Sequence, residues 1–147
     1  MRSAKSLFFK MSLILVFFFI NSCKKEQTAI YPEAGKNVVG TWKIASVVRN
    51  GVDITEHFDF TPFSIRFNED GTYTMENQVP FVVFKNGTWS LDDVAHPLHI
   101  SFVQNGSSET FTNEFDYPVV NGVRRIILKG APGCVTNTYQ YSLEAVQ

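Results

Sequence analysis

Asp92, Asp93, His96 and His99 lie within eight residues of one another, and carboxylates and imidazoles so spaced are donors a divalent metal could take. Pro97 and the strand pattern argue against their convergence. The stretch from Asp92 to Pro97 reads as a turn between two strands, and only His99 falls inside a strand, so no metal site is expected. Glu56 and His57 form an acid-base pair with no nucleophile beside them. Cys134 sits in the turn-rich Gly130-Ala131-Pro132-Gly133-Cys134 with no neighbouring histidine to draw off its proton, and it reads as a structural thiol. An enzyme would need a serine, cysteine or carboxylate pair held against a base and an orienting partner. No such constellation is visible. Glu76, Glu109, Glu114 and Asp116 are left to meet across strands, though acids on a sheet surface are usually just solvated. The chain is read as a non-enzyme with no catalytic residue and no cofactor.

The elements that would carry these groups are short strands. From Val38 onward, runs of alternating apolar and polar residues are separated by Asn-Gly, Asp-Gly and Pro-Gly pairs, the pattern of antiparallel β-structure. In Thr41 to Asn50 the alternation puts Trp42, Ile44, Ser46 and Val48 on one face. Val52 to Phe60 breaks it: Ile54 and Phe58 are four apart with Thr55, Glu56 and Asp59 among them, which predicts a short helical segment or turn. Phe63 to Asn68 and Thr72 to Asn77 flank Asn68-Glu69-Asp70-Gly71, the surest hairpin, with Phe63, Ile65 and Phe67 inward. Asn86-Gly87-Thr88 and Asn105-Gly106-Ser107 match the glycosylation pattern, but their Asn-Gly cores are better explained as hairpin turns. Eight or nine strands and no long helix result. Strands so many and loops so short point to an antiparallel up-and-down barrel, closed by pairing the last strand with the first, rather than a sandwich.

The aromatic load is high. Phe58, Phe60, Phe63, Phe67, Phe81, Phe84, Phe102, Phe111 and Phe115, with the tyrosines, exceed what a small closed core requires. An eight-stranded barrel is either filled by side chains or holds one small ligand, and both remain open here. If it holds one, Phe60, Phe63, Phe81 and Phe84 are the expected ligand-binding residues, because they border irregular segments where a barrel mouth would lie. The alternative is a solid barrel that docks an envelope protein through its surface.

The first 22 residues carry Arg2, Lys5 and Lys10, then an apolar block from Met11 to Ile20, then Asn21-Ser22 before Cys23. A block of about 10 residues makes a helix of roughly 15 Å, too short for the ~30 Å core of a bilayer. Short apolar block, small residues and cysteine together resemble the lipobox of bacterial lipoproteins. The resemblance implies a signal peptide over residues 1–22 and acylation of Cys23; the polar, aperiodic stretch after it, with Pro32 and Gly35, makes 23–37 a lipidated tether before a domain over 38–147. With Cys23 acylated, Cys134 has no disulfide partner. Lys24, where an aspartate would act as a retention signal, is compatible with sorting to the outer membrane, on its periplasmic or cell-surface side. Without the signal the chain has ten basic against 14 acidic residues, a net charge of −4. Lys24-Lys25 and Arg124-Arg125 are too small a footprint for a phosphate backbone, so no nucleic-acid partner is expected; Lys24-Lys25, close to the membrane, are expected to meet headgroups.

Val39-Gly40-Thr41-Trp42-Lys43-Ile44 resembles the Gly-x-Trp opening strand of lipocalins. Phe67 to Tyr73, Gly87-Thr88-Trp89-Ser90-Leu91 and Tyr139 to Leu143 are similar to strands of lipocalin-like lipoproteins of Bacteroidetes. The resemblance spans Val38 to Val146. It implies a lipocalin-like barrel in which Gly40, Trp42 and Trp89 are structural, with Trp42 plugging the closed end. Lipocalins usually stack an arginine from near the last strand on that tryptophan. Tyr139 to Val146 contains none, and Arg124 or Arg125 is the substitute; Phe115-Asp116-Tyr117 resembles a second lipocalin motif.

Overall fold

Among the described residues, apolar side chains at every second position, interrupted by turn-forming pairs, fold into ten strands joined wholly by antiparallel pairing. The computed structural model describes residues 35–133 and 136–146; Cys23, the signal segment and Cys134 lie outside the described residues. The strands are β1 (Gly40–Arg49), β2 (Val52–Asp53), β3 (Ser64–Phe67), β4 (Thr72–Glu76), β5 (Gly87–Leu91), β6 (His99–Gln104), β7 (Thr110–Asp116), β8 (Val119–Val120), β9 (Val123–Gly130) and β10 (Tyr139–Ala145). Eight of them run β10-β1-β3-β4-β5-β6-β7-β9, and β9 pairs back onto β10. This is the closed up-and-down barrel the alternation predicts, and it matches the lipocalin-like fold the resemblance implies. The two-residue strands β2 and β8 are side hairpins on β1 and β9.

The helical segment expected after β1 is only a 3-10 turn, Thr55–His57. Its groups are committed elsewhere: Thr55 Oγ1 accepts the Val47 amide at 3.0 Å, Asp53 Oδ1 accepts the Thr55 amide at 2.9 Å, and Phe58 is already extended at φ −136. The face of β1 also differs from its alternation. Ile44 pairs with Leu143 but Ser46 with Ser142, so Ala45 is a bulge, and beyond it Val47 rather than Val48 turns fully into the core.

The turns divide likewise. Asn50-Gly51 (φ 49 and 79) and Asn121-Gly122 (φ 52 and 79) have the two successive positive φ values of the tight hairpin turn. Asn105-Gly106 also turns, with the Ser107 amide donating to the Gln104 carbonyl. Asn86-Gly87 does not make a hairpin. Asn86 Oδ1 accepts the Met75 amide at 2.9 Å, and Gly87 is the first residue of β5, pressed against the backbone of β6.

Inside the barrel, Phe63, Phe67, Tyr73, Phe81, Phe102, Phe115 and Tyr141 are each under 2 % exposed or at that limit, so the interior is packed with rings. They meet edge to face or tilted, Phe67 to Phe102 at 6.2 Å, Tyr73 to Phe102 at 5.2 Å and Phe81 to Tyr141 at 5.0 Å. Each such burial stabilises by about 2–3 kcal/mol. Tyr73 keeps a polar partner, donating its hydroxyl proton to the Lys85 carbonyl at 2.7 Å; burial pushes its pKa up to about 12.

Candidate functional site

One end of the barrel carries the ends of β1 and β4, the starts of β7 and β10, and two long connections. The first connection runs from β2 through the 3-10 turn to Pro62, and is tied to β1 where the Ile54 amide donates to the Val47 carbonyl at 2.9 Å. The second, from Asn77 to Asn86, is tied to β6 where the Phe84 amide donates to Gln104 Oε1 at 2.9 Å. Between them lies a crevice of about 180 Å³. Val47 and Arg49 of β1 and Tyr139 and Tyr141 of β10 line one part of it. Ile54, Phe58, Phe60 and Pro80 from the two connections line the rest. Tyr139 and Tyr141 are stacked, 5.9 Å apart and 7° from parallel. The Arg49 guanidinium lies 5.6 Å from the centre of the Tyr139 ring and donates to Asn137 Oδ1 at 2.9 Å. Tyr141 is wholly buried and its hydroxyl has no hydrogen-bond partner among the described residues; burial pushes its pKa up. An unpaired buried hydroxyl costs about 1–3 kcal/mol.

The four phenylalanines expected at a mouth are divided by the structure. Phe60, 5 % exposed, lines the crevice. Phe63 and Phe81 are 0 % exposed and pack on each other at 4.8 Å, and Phe81 meets Tyr141, so they belong to the core. Phe84, 52 % exposed, lines a separate groove of about 380 Å³ with Phe111, Asn113 and Pro132. A third groove, about 470 Å³, runs along Ile44, Ala45 and the segment from Thr55 to Thr61, and shares Phe58 and Phe60 with the crevice. Arg49, Tyr139 and Tyr141 escaped the sequence reading. The shared face of Tyr139 and Tyr141 was readable from alternation, but their meeting with Arg49 depends on the register of β1 against β10, which a local pattern does not contain.

A family model described as a domain of unknown function, DUF5004, matches residues 20–144. The chain belongs to the DUF5004 family. Comparison with curated proteins and with solved structures gave no significant match.

At the other end of this DUF5004 barrel, Trp42 is 3 % exposed and donates its Nε1 proton to the Val38 carbonyl at 2.8 Å. Tyr117 meets it edge to face at 6.2 Å and stacks on Phe115 at 6.0 Å, so the Phe115-Asp116-Tyr117 segment does reach the tryptophan. The arginine expected over Trp42 lies one ring further out. Arg124 covers Tyr117 at 4.9 Å and donates to the Tyr117 carbonyl, while Arg125 reaches Ser142 and Glu144. Gly40 begins β1 at φ 135, a conformation L side chains rarely adopt. Trp89, half-buried, meets Phe67 edge to face at 5.3 Å and donates to the Thr72 carbonyl.

The Asp92 to His99 cluster is a hydrogen-bonded loop. Asp92 Oδ1 accepts the amides of Asp93, Leu98 and His99, and Asp92 Oδ2 meets His99 Nδ1 at 2.9 Å, while Asp93 Oδ1 takes the amides of Ala95 and His96. The hydrogen bonds from His99, side chain first and backbone second, hold the Asp92 carboxyl down at about 2. A carboxyl depressed in the folded state stabilises above its unfolded pKa of 3.8, and that contribution disappears as pH falls from there through about 2. Carbon-13 NMR of the side-chain carboxyl should place the Asp92 midpoint near 2, and Asp92→Ala should strip hydrogen-exchange protection from the Leu98 and His99 amides. A midpoint near 3.8 would contradict the geometry. Of the acids left to pair across strands, Glu114 and Asp116 both turn to Lys129, at 3.8 and 3.1 Å.

Proposed function

We propose that this DUF5004 chain is an exported lipoprotein, acylated at Cys23 and held on the outer membrane, whose barrel binds a small apolar or mixed molecule at one end and performs no catalysis. The observation that carries the reading is the crevice lined by Val47, Phe58, Phe60 and the Tyr139/Tyr141 pair: apolar walls around a few polar groups are how small-molecule sites are built. The packed interior supports a site at the barrel end rather than in a central cup. The anchor reading rests on the resemblance of residues 1–23 to a lipoprotein signal, and the family match, starting at residue 20, takes in Cys23. The described chain enters the barrel beside Trp42, where the Lys36 amide donates to the Val94 carbonyl.

Native mass spectrometry of the chain extracted from envelopes tests this. The expected result is a reproducible small-molecule adduct that organic solvent removes, on a protein whose N-terminal peptide carries acyl chains on Cys23. A clean unliganded mass would overturn ligand binding, and an unmodified Cys23 would overturn the anchor. A second reading, a solid barrel docking an envelope protein, is favoured by the filled interior and by Phe58 and Phe84, 59 % and 52 % exposed. It predicts a co-purifying envelope protein that Phe84→Ser releases.

A further inference from the structure

We propose that the crevice is built for a small aromatic carboxylate, its ring against the tyrosine and phenylalanine side chains and its acid group on Arg49. This rests on the reading that the barrel end binds a ligand, and names that ligand's chemistry. The size comes first. About 180 Å³ equals roughly six waters at ~30 Å³ each, room for one ring with a short arm and too little for a long acyl chain. The ring follows from the walls: Phe58, Phe60, Tyr139 and Tyr141 supply aromatic faces and edges, and Pro80 a flat apolar side.

The acid group follows from charge. Among the described residues Arg49 is the sole charged one in the lining, which includes no acid. Its contacts among the described residues are the neutral Asn137 amide oxygen and the Tyr139 ring. Anchored by one nitrogen, the guanidinium keeps further N–H groups for a carboxylate, the anion its planar fork matches. The independent observation is Tyr141. It lines the same crevice, it is fully buried, and its hydroxyl has no partner among the described residues, so a ring shift on ligand entry would bring an unspent donor to a bound acid.

Isothermal titration of the full chain in detergent with phenylacetate, and with 2-phenylethanol as its uncharged counterpart, tests the inference. Phenylacetate should bind at least tenfold more tightly than the alcohol. Arg49→Gln should remove that preference, Arg49→Lys should restore part of it, and Tyr141→Phe should weaken phenylacetate severalfold while the thermal midpoint stays level or rises. Equal binding of the two probes, or undiminished phenylacetate binding by both Arg49→Gln and Tyr141→Phe, would overturn the acid chemistry while leaving a ligand site standing. If neither probe binds, the inference fails alone where the envelope-extracted chain still carries an adduct, and fails together with the ligand-binding reading where it does not.

Discussion

Gly87→Ala should destabilise the barrel by roughly 3 kcal/mol or more, enough to leave much of the protein unfolded at moderate temperature. A β-carbon on Gly87 would lie 1.9 Å from the Val103 carbonyl oxygen and 2.9 Å from the Gln104 α-carbon. Both obstacles are backbone, so no rotamer change relieves them, and β5 and β6 must separate at the first of their pairs, Gly87 with Gln104. The other flank of β5 offers little reserve, because it meets β4 through only Thr72 with Thr88 and Tyr73 with Gly87. Urea denaturation followed by circular dichroism should show the midpoint falling sharply. Gly106→Ala is the control: it has open space around it but φ 81, and should cost only about 1 kcal/mol. A Gly87→Ala midpoint as close to wild type as that of the control would refute the close approach.

Trp42→Ala should cost about 3–5 kcal/mol. The indole closes the barrel end, and its removal would vacate a large buried volume, take the edge contact from Tyr117 and leave the Val38 carbonyl without its donor. In a domain of this size the thermal midpoint should drop by about 15 °C or more. Trp42→Phe separates the parts: it restores most of the ring but not the donor, and should lose about 1–3 kcal/mol. Trp89 remains in both variants as a fluorescent reporter of unfolding. A loss under about 1 kcal/mol for the alanine variant would mean that Trp42 covers the end without holding it.

Much of the fold was legible because the signals are local. Alternation located the strands, and at Asn50-Gly51 and Asn121-Gly122 the residue pair alone dictates the turn, since both positions need positive φ. The same pair at Asn86-Gly87 misled, because there the glycine is required by a neighbouring strand's carbonyl, and proximity across strands is invisible in a window of residues. The Ala45 bulge escaped for a related reason: a single inserted residue reverses the inward face of β1, and only its β10 partners reveal where it occurs. The site was legible in part. Phe60 stood out by bordering an irregular stretch, but so did Phe63 and Phe81, which continue into the core. Arg49, about ninety positions from Tyr139 in the chain, belongs with it only after the barrel closes.

That closing pair also sets how the molecule comes into being. Trp42 of β1 rests against Ala145 of β10, about a hundred positions later, so the seam is the most distant contact in the cylinder and carries the largest loop-closure entropy. Until it forms, β1 and β10 are both bare edges, able to recruit strands from other chains. Folding should therefore be slow relative to helical domains of similar size, and the interval before the seam shuts is when newly made chains are most exposed to self-association.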